Sequence, residues 1–298
     1  MRKRDWFHRG KWMLMAAMAT LLLAGCDNRY LVLNPKGPVA ETEYRLIVLS
    51  AVLCAAVVIP VLALLAFIIY RYRDKPDNKA PYKPDWAHST TLEVVWWGIP
   101  IVIIAILGYF TARTTFALVK PPVTDATPIT IQVTSLDWKW LFTYPDQKVA
   151  TVNYVEIPAG VPVQFVLTSD APMNSFWVPQ LGGQEYTMPG MAMRLWLQAD
   201  HPGEYFGQGA NFTGKGFAHM QFKVIAKPQA EFEAWAQNVR KTAPAMTKED
   251  YTALAKPGLS ETRTYSSYPE GLFEEIVKKN GGQEHDHSMN HDGMTHTP

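Results

Sequence analysis

The chain has 298 residues, a formal net charge of +1 and 2 cysteines. That length holds one or two folded units plus an anchor, at roughly 100–200 residues per unit, and the near-neutral charge argues against a nucleic-acid partner. Two cysteines exclude a disulfide framework and any Cys-rich zinc or iron–sulfur site.

Residues 1–25 begin with a stretch rich in Lys and Arg, followed by an apolar run from Trp12 to Ala24. That is the pattern of a secretory signal: a basic start, then a core too short to cross a bilayer comfortably. The run ends in Leu23-Ala24-Gly25-Cys26, which resembles a bacterial lipobox. The resemblance implies cleavage before Cys26, acylation of its thiol and new amine, and, with Asp27 next, retention in the inner membrane. Each buried methylene of an acyl chain adds about 0.8 kcal/mol, so several chains anchor firmly. Cys54 then has no partner and reads as a small buried thiol within the membrane.

Two uncharged runs follow, at about 46–69 and 94–112. At about 1.5 Å per residue each is long enough for a hydrocarbon core of about 30 Å. Pro60 should kink the first. Trp96, Trp97 and Tyr109 near the ends of the second suit the membrane interface. The intervening loop carries Arg71, Arg73, Lys75, Lys79 and Lys83, which makes it cytoplasmic by the positive-inside rule. A cleaved signal puts the N-terminus outside, so both signals agree on an out–in–out hairpin, with everything after about residue 117 exported.

Within 124–227, short segments that alternate apolar and polar residues or are rich in β-branched ones read as strands: 129–135, 149–157, 163–168, 193–199 and 220–226. Turn clusters separate them, among them Pro158-Ala159-Gly160 and His201-Pro202-Gly203. Strands at this spacing predict a small sandwich or barrel. From 228 to 280 the texture turns helical, with Phe232, Trp235, Ala236 and Val239 on one face, a capping box at Thr247-Lys248-Glu249-Asp250, and a further helix over 271–279. Residues 281–298 are polar, His- and Met-rich, and read as a disordered tail.

Two spans and an exported sandwich suggest subunit II of the haem–copper respiratory oxidases, and three segments carry the resemblance. Asn174-Ser-Phe-Trp-Val-Pro179 with Gln180-Leu-Gly182 resembles that family's HSFWVPxLG segment. Tyr205-Phe-Gly-Gln208 through Gly214 to Met220 resembles its YFGQCSELCGxxHxxM segment. Asp137-Trp138-Lys139-Trp140 resembles its aromatic segment. The fold implied is α+β: a two-helix transmembrane hairpin, an exported cupredoxin-like β-sandwich and a C-terminal helical extension.

In the cytochrome c oxidases of this family those segments hold two coppers with two bridging thiolates, two imidazoles, a thioether and a carbonyl. Here the first His is Asn174, the two Cys are Gly209 and Thr213, the Glu between them is Asn211, and the second His is Phe217; Met220 alone remains. Soft thiolates stabilise Cu(I), and no cysteine follows Cys54. A copper site built from His201, His219 and Met220 is a weak alternative, since both His read as surface residues. Met173, Met188, Met191 and Met193 read as packing residues. Family members without the thiolates are quinol oxidases, and the chain looks closest to subunit II of the cytochrome o ubiquinol oxidases. The resemblance then implies no metal or redox centre in this chain, with haems and catalytic copper in subunit I. The implied partners are subunits I, III and IV, ubiquinol and membrane lipid, and not cytochrome c.

Glu93 is the one candidate for direct chemistry. Glu93-Val-Val-Trp-Trp-Gly-Ile-Pro100 resembles the family's E-x-x-W-x-x-x-P pattern, whose Glu takes up protons for the K-type pathway into subunit I. A carboxylate suits that role because it exchanges protons readily. Thr90-x-x-Glu93 also fits a helix capping box, a reading compatible with the first. A competing account is a membrane-anchored, cupredoxin-like lipoprotein that binds copper through His285, His287, His291, His296, Met289 and Met294. Two spans argue against it, because a lone lipoprotein needs only Cys26.

Overall fold

The computed structural model describes residues 30–81, 84–122, 124 and 126–282. The signal, Cys26 and the tail beyond Gly282 lie outside the described residues.

Helix α1 (Pro38–Arg71) and helix α2 (Thr90–Leu118) are both long and apolar enough to cross a membrane. Each contains one of the uncharged runs and extends several residues past it. Pro38 opens α1, where a missing N–H costs nothing, and α1 runs on through Pro60. The flanks of both helices expose Val, Leu, Ile and Phe along their length, as expected where lipid or a partner replaces water. Cys54 is exposed on this flank, within the segment expected to lie in the membrane.

The first turns of α1 are not free. Lys36 N donates to Gln180 O (2.8 Å), Asp200 N to Lys36 O (2.9 Å) and Ala40 N to Leu181 O (3.2 Å). Gly183 N donates to the Glu43 carboxylate (3.0 Å), and Val39 and Ala40 are buried. Gly37 makes this approach possible, since a Cβ there would lie 1.9 Å from Gln198 O. Only residues 119–128 separate α2 from the first strand, so the end of α2 and the start of α1 both lie on the sandwich side.

Among the described residues eleven strands follow: β1 (Ile129–Leu136), β2 (Lys139–Tyr144), β3 (Val149–Val152), β4 (Tyr154–Pro158), β5 (Val163–Ser169), β6 (Asn174–Trp177), β7 (Gln184–Thr187), β8 (Met193–Leu197), β9 (Gly203–Gly209), β10 (Gln221–Lys227) and β11 (Arg263–Tyr265). They form a six-stranded sheet, β11-β3-β2-β1-β5-β8, and a five-stranded sheet, β4-β10-β9-β6-β7. The parallel pairs β1–β5 and β4–β10 give the Greek-key character of a cupredoxin-like sandwich. The single strand expected over 149–157 is two: Asn153 turns the chain at φ +60° and hands it from one sheet to the other. Its side chain explains how a non-glycine holds that bend, because Asn153 Oδ1 accepts from Trp140 N (2.9 Å) and Nδ2 donates to Ser260 O (2.7 Å).

Between the sheets lies an aromatic core. Phe176 stacks on Phe222 with centroids 4.9 Å apart, and Trp140 meets both edge-on at 5.6 and 5.5 Å. The extension supplies helices α3 (Gln229–Thr242), α4 (Lys248–Ala255) and α5 (Leu272–Lys279). Thr247 caps α4 in the expected box with Asp250. The extension is not only helical, since its β11 completes the six-stranded sheet beside β3. Leu254, Leu272 and Ile276 pack on Leu136, Leu141 and Val152, forming a second core on the outer face of that sheet.

Candidate functional site

Three strands bring the resembling segments together. Phe176 in β6 is opposite Gly209 in β9, and Gln208 in β9 is opposite Gln221 in β10. Asn174, Gly209 and Met220 therefore converge at one end of the five-stranded sheet. Asn174 is fully buried. Its Nδ2 donates to Met220 Sδ (2.8 Å), and its Oδ1 accepts from Ser175 N (2.7 Å) and Asn211 N (3.2 Å). Gly209 N donates to Met220 O (2.9 Å). The cluster is neutral and internally satisfied: an amide and a thioether hydrogen-bonded to each other and to backbone.

The loop from Ala210 to Gly216 closes over Trp138. Trp138 sits at φ +66° and donates from Nε1 to Thr213 O (3.0 Å). Its ring occupies the space a Cβ on Gly216 would take, 2.3 Å away. The Thr213 hydroxyl is buried with no hydrogen-bond partner among the described residues. Phe217 packs edge-on against Phe212, which is 81% exposed. The structure thus joins Asn174, Gly209, Asn211 and Met220 in one contact network, with Thr213 and Phe217 further along the same loop.

A dinuclear copper centre does not fit these residues. Positions 209 and 213 offer no thiol, and a Cβ at 209 would come within 2.9 Å of the Asn174 amide. Donors there are an amide and one thioether, far from the soft anionic set such a centre uses. Among the described residues no three His, Cys, Asp or Glu side chains come together. His201 and His219 are both exposed, as expected. The four methionines divide: Met193 packs on the core and Met188 is half-buried, whereas Met173 and Met191 are 42% and 49% exposed.

Lys139, next to Trp138, is buried at 3% exposure. Its Nζ donates to Leu254 O (2.8 Å) and Lys256 O (2.7 Å), carbonyls left over at the end of α4. Burial lowers its pKa from the ordinary lysine value, with Asp137 opposing and Arg263 adding to the effect. Sequence reasoning did not find this role, because the two carbonyls lie more than a hundred positions away.

Glu93 stands in the first turn of α2. The expected capping box does not form: the N-cap is Ser89, which makes no side-chain cap bond. Thr90 is inside the helix, where its hydroxyl meets His88 Nε2 (3.4 Å). Glu93 Oε1 instead lies 2.6 Å from His88 Nδ1. The pair lines a cleft of about 160 Å³ with Trp86, Leu92 and Trp96. The Glu93 side chain is 37% exposed and that of His88 69%.

The described residues thus combine two helices long and apolar enough to cross a membrane with a two-sheet sandwich that has a neutral cluster at the end of β6 and β9. The family model for the periplasmic domain of cytochrome c oxidase subunit II matches residues 147–227. Quinol oxidase subunit 2 of Bacillus anthracis is 46% identical over 257 residues, covering 86% of this chain and 88% of the relative. Cytochrome bo(3) ubiquinol oxidase subunit 2 of Pseudomonas putida is 43% identical over 274 residues, covering 90% and 86%. The chain belongs to the family of quinol oxidase subunit 2. Among solved structures, the periplasmic domain of subunit II of the Bradyrhizobium japonicum cytochrome oxidase is 22% identical, with a TM-score of 0.38, covering 41% of this chain and 98% of that one.

Proposed function

We propose that this subunit serves a haem–copper ubiquinol oxidase that reduces O₂ to water and pumps protons, and that it carries no redox centre of its own. The observation that supports this most is the network around Asn174, in which an amide, a thioether and a glycine stand where thiolates and imidazoles would be needed. Electrons then pass from quinol to haem in subunit I without entering this chain. The subunit's work is assembly with subunits I, III and IV, and delivery of protons. The enzyme sits in the bacterial inner membrane with the sandwich in the periplasm. Cys26 is the lipid anchor of the mature N-terminus, and residues 1–25 are its signal.

Glu93 takes the proton-entry role in this reading. The carboxylate opens to a cleft at the basic loop's end of α2, where water reaches it, and His88 holds one oxygen. Purification of the assembled complex in mild detergent tests the whole reading. Co-purifying haem and ubiquinol-dependent oxygen uptake are expected; a single chain free of haem would overturn it. In that complex Glu93→Ala should slow turnover with haem content unchanged, and unaltered turnover would remove Glu93 from the proton path.

A further inference from the structure

Asn280 is the one asparagine in the sequence that precedes a glycine. Glycine puts no Cβ beside its own nitrogen, so that nitrogen can reach the preceding side-chain amide where a larger residue would shield it. The reaction open to such a pair is internal. Gly281 N bonds to Asn280 Cγ and gives up its proton, Nδ2 leaves as ammonia, and a cyclic imide remains. Water then opens the imide at either carbonyl, which leaves an aspartate or its β-linked isomer.

The fold holds the nucleophile and the leaving amide away from this step. Asn280 Nδ2 donates to Ile276 O (2.9 Å), Asp170 Oδ1 (3.0 Å) and Ser169 O (3.5 Å). Gly281 N donates to Lys278 O (3.1 Å). The backbone around the pair is pinned against the turn after β7: a Cβ on Gly190 would lie 2.5 Å from Asn280 O, and one on Gly282 would lie 2.5 Å from Gly190 O. Turning Asn280 so that its Cγ meets Gly281 N breaks these bonds together. The residue is half-buried, so water and hydroxide reach it once they open.

The same amide is one of three donors to the Asp170 carboxylate, with Tyr251 Oη (2.7 Å) and Lys279 Nζ (2.9 Å). Those contacts fasten α4 and α5 to the end of β5. Conversion of the amide to a carboxylate removes the donor and sets two negative groups face to face. Lys279 offers no replacement, because its Nζ already meets both Asp170 oxygens (2.9 and 3.0 Å). The new charge also faces Ile276 O and stands at the C-terminal end of α5, where the helix dipole disfavours an anion.

We propose that Asn280-Gly281 is a deamidation site gated by the Asp170 contacts, and that deamidation makes release of the C-terminal extension permanent. While those contacts hold, the amide is protected. Each opening exposes it, and reaction of the open form tracks the open population. A converted chain no longer closes as before, so a reversible local opening becomes an irreversible one through chemical modification. Release bares Leu136, Leu141 and Val152, the apolar face that α4 and α5 cover. The inference stands apart from the oxidase role argued above.

The test is timed incubation of the detergent-solubilised full chain at mildly alkaline pH, with peptide mass spectrometry following the amide-to-acid conversion at Asn280. The native chain should react at least about tenfold more slowly than a free peptide of residues 276–282, which has no such contacts. Asp170→Ala should speed the reaction by about tenfold or more, because it raises the open population. Tyr251→Phe removes one of the three bonds without leaving a hole; it should speed the reaction to a smaller degree, and it serves where Asp170→Ala fails to fold. In Asn280→Asp, hydrogen exchange in α4 and α5 should quicken by about tenfold or more, with the β1–β2–β5 amides unchanged. A native chain that reacts as fast as the peptide, or folded variants that react no faster than the parent, would overturn the gating. Exchange in Asn280→Asp within about threefold of the parent would overturn the permanent release.

Discussion

Asp170→Ala should release the C-terminal extension from the sandwich. Asp170 follows β5 with its side chain only 2% exposed. It accepts from Tyr251 Oη in α4 (2.7 Å), from Lys279 Nζ in α5 (2.9 Å) and from Asn280 Nδ2 just beyond (3.0 Å). The Lys279 side chain is 62% exposed, so that ion pair contributes little, about 0–1 kcal/mol. The bonds from Tyr251 and Asn280 to a buried carboxylate are worth about 1.5–3 kcal/mol each. Allowing for water entering the space, the loss is about 3 kcal/mol, or a factor of roughly 10² in local opening. Hydrogen exchange on the detergent-solubilised chain reads this directly as faster exchange in α4 and α5, with the β1–β2–β5 amides unchanged. A change under about threefold would refute the argument that Asp170 clamps the extension. Burial by itself would raise the Asp170 carboxyl, but the bonds from Asn280, Lys279 and Tyr251 together outweigh it and hold it below the ordinary aspartate value. The native state therefore binds fewer protons than the unfolded chain over that interval. The clamp is fully present above about pH 4, the unfolded aspartate value, and is lost as pH falls through the lower folded one. Asp170→Asn should abolish this acid-side step.

Gly37→Ala places a Cβ 1.9 Å from Gln198 O; it should cost about 1–3 kcal/mol and lower the thermal midpoint of the sandwich by loosening its seat on α1. Gly216→Ala drives a methyl into the Trp138 ring, so tryptophan fluorescence should shift as the Nε1 bond to Thr213 breaks, with a similar loss of stability. Phe176→Ala removes the ring shared by Trp140, Phe142, Phe165 and Phe222, and denaturant unfolding should show a loss of about 3–5 kcal/mol. Lys139→Met leaves the carbonyls of Leu254 and Lys256 without their donor; proteolysis near residue 256 should accelerate while the sandwich survives.

Sequence reasoning found strands by one of two signals: alternation, or a run rich in β-branched residues, as in β3, all four of whose residues are buried. β10 alternates between exposed and buried residues, and such a strand announces itself by period two. β2 does not: all six of its residues are buried. Trp140, Phe142 and Tyr144 point into the aromatic core, while Leu141 meets the extension and Lys139 caps α4. A sheet covered on both faces loses its alternation, so β2 was legible only as a motif. β6 and β7 are four residues long and β9 puts glycine at two of its buried positions, so none shows an apolar–polar alternation in its sequence.

The sequence by itself determined the two long apolar segments, the basic loop between them, the kind of fold that follows and the absence of any cysteine after Cys54. Those are properties of composition and local order: uncharged length, charge asymmetry, and residue types at fixed offsets. Tertiary structure alone decided what became of the positions around Asn174. An amide from β6, a thioether before β10 and a glycine at the end of β9 form one network only because β6–β9–β10 pairing brings them together. It alone showed that Glu93 pairs with His88 and does not cap its helix, and that the extension is bound to the sandwich through Asp170, Lys139 and β11. These contacts join residues far apart in sequence, and no local pattern encodes a partner that distant.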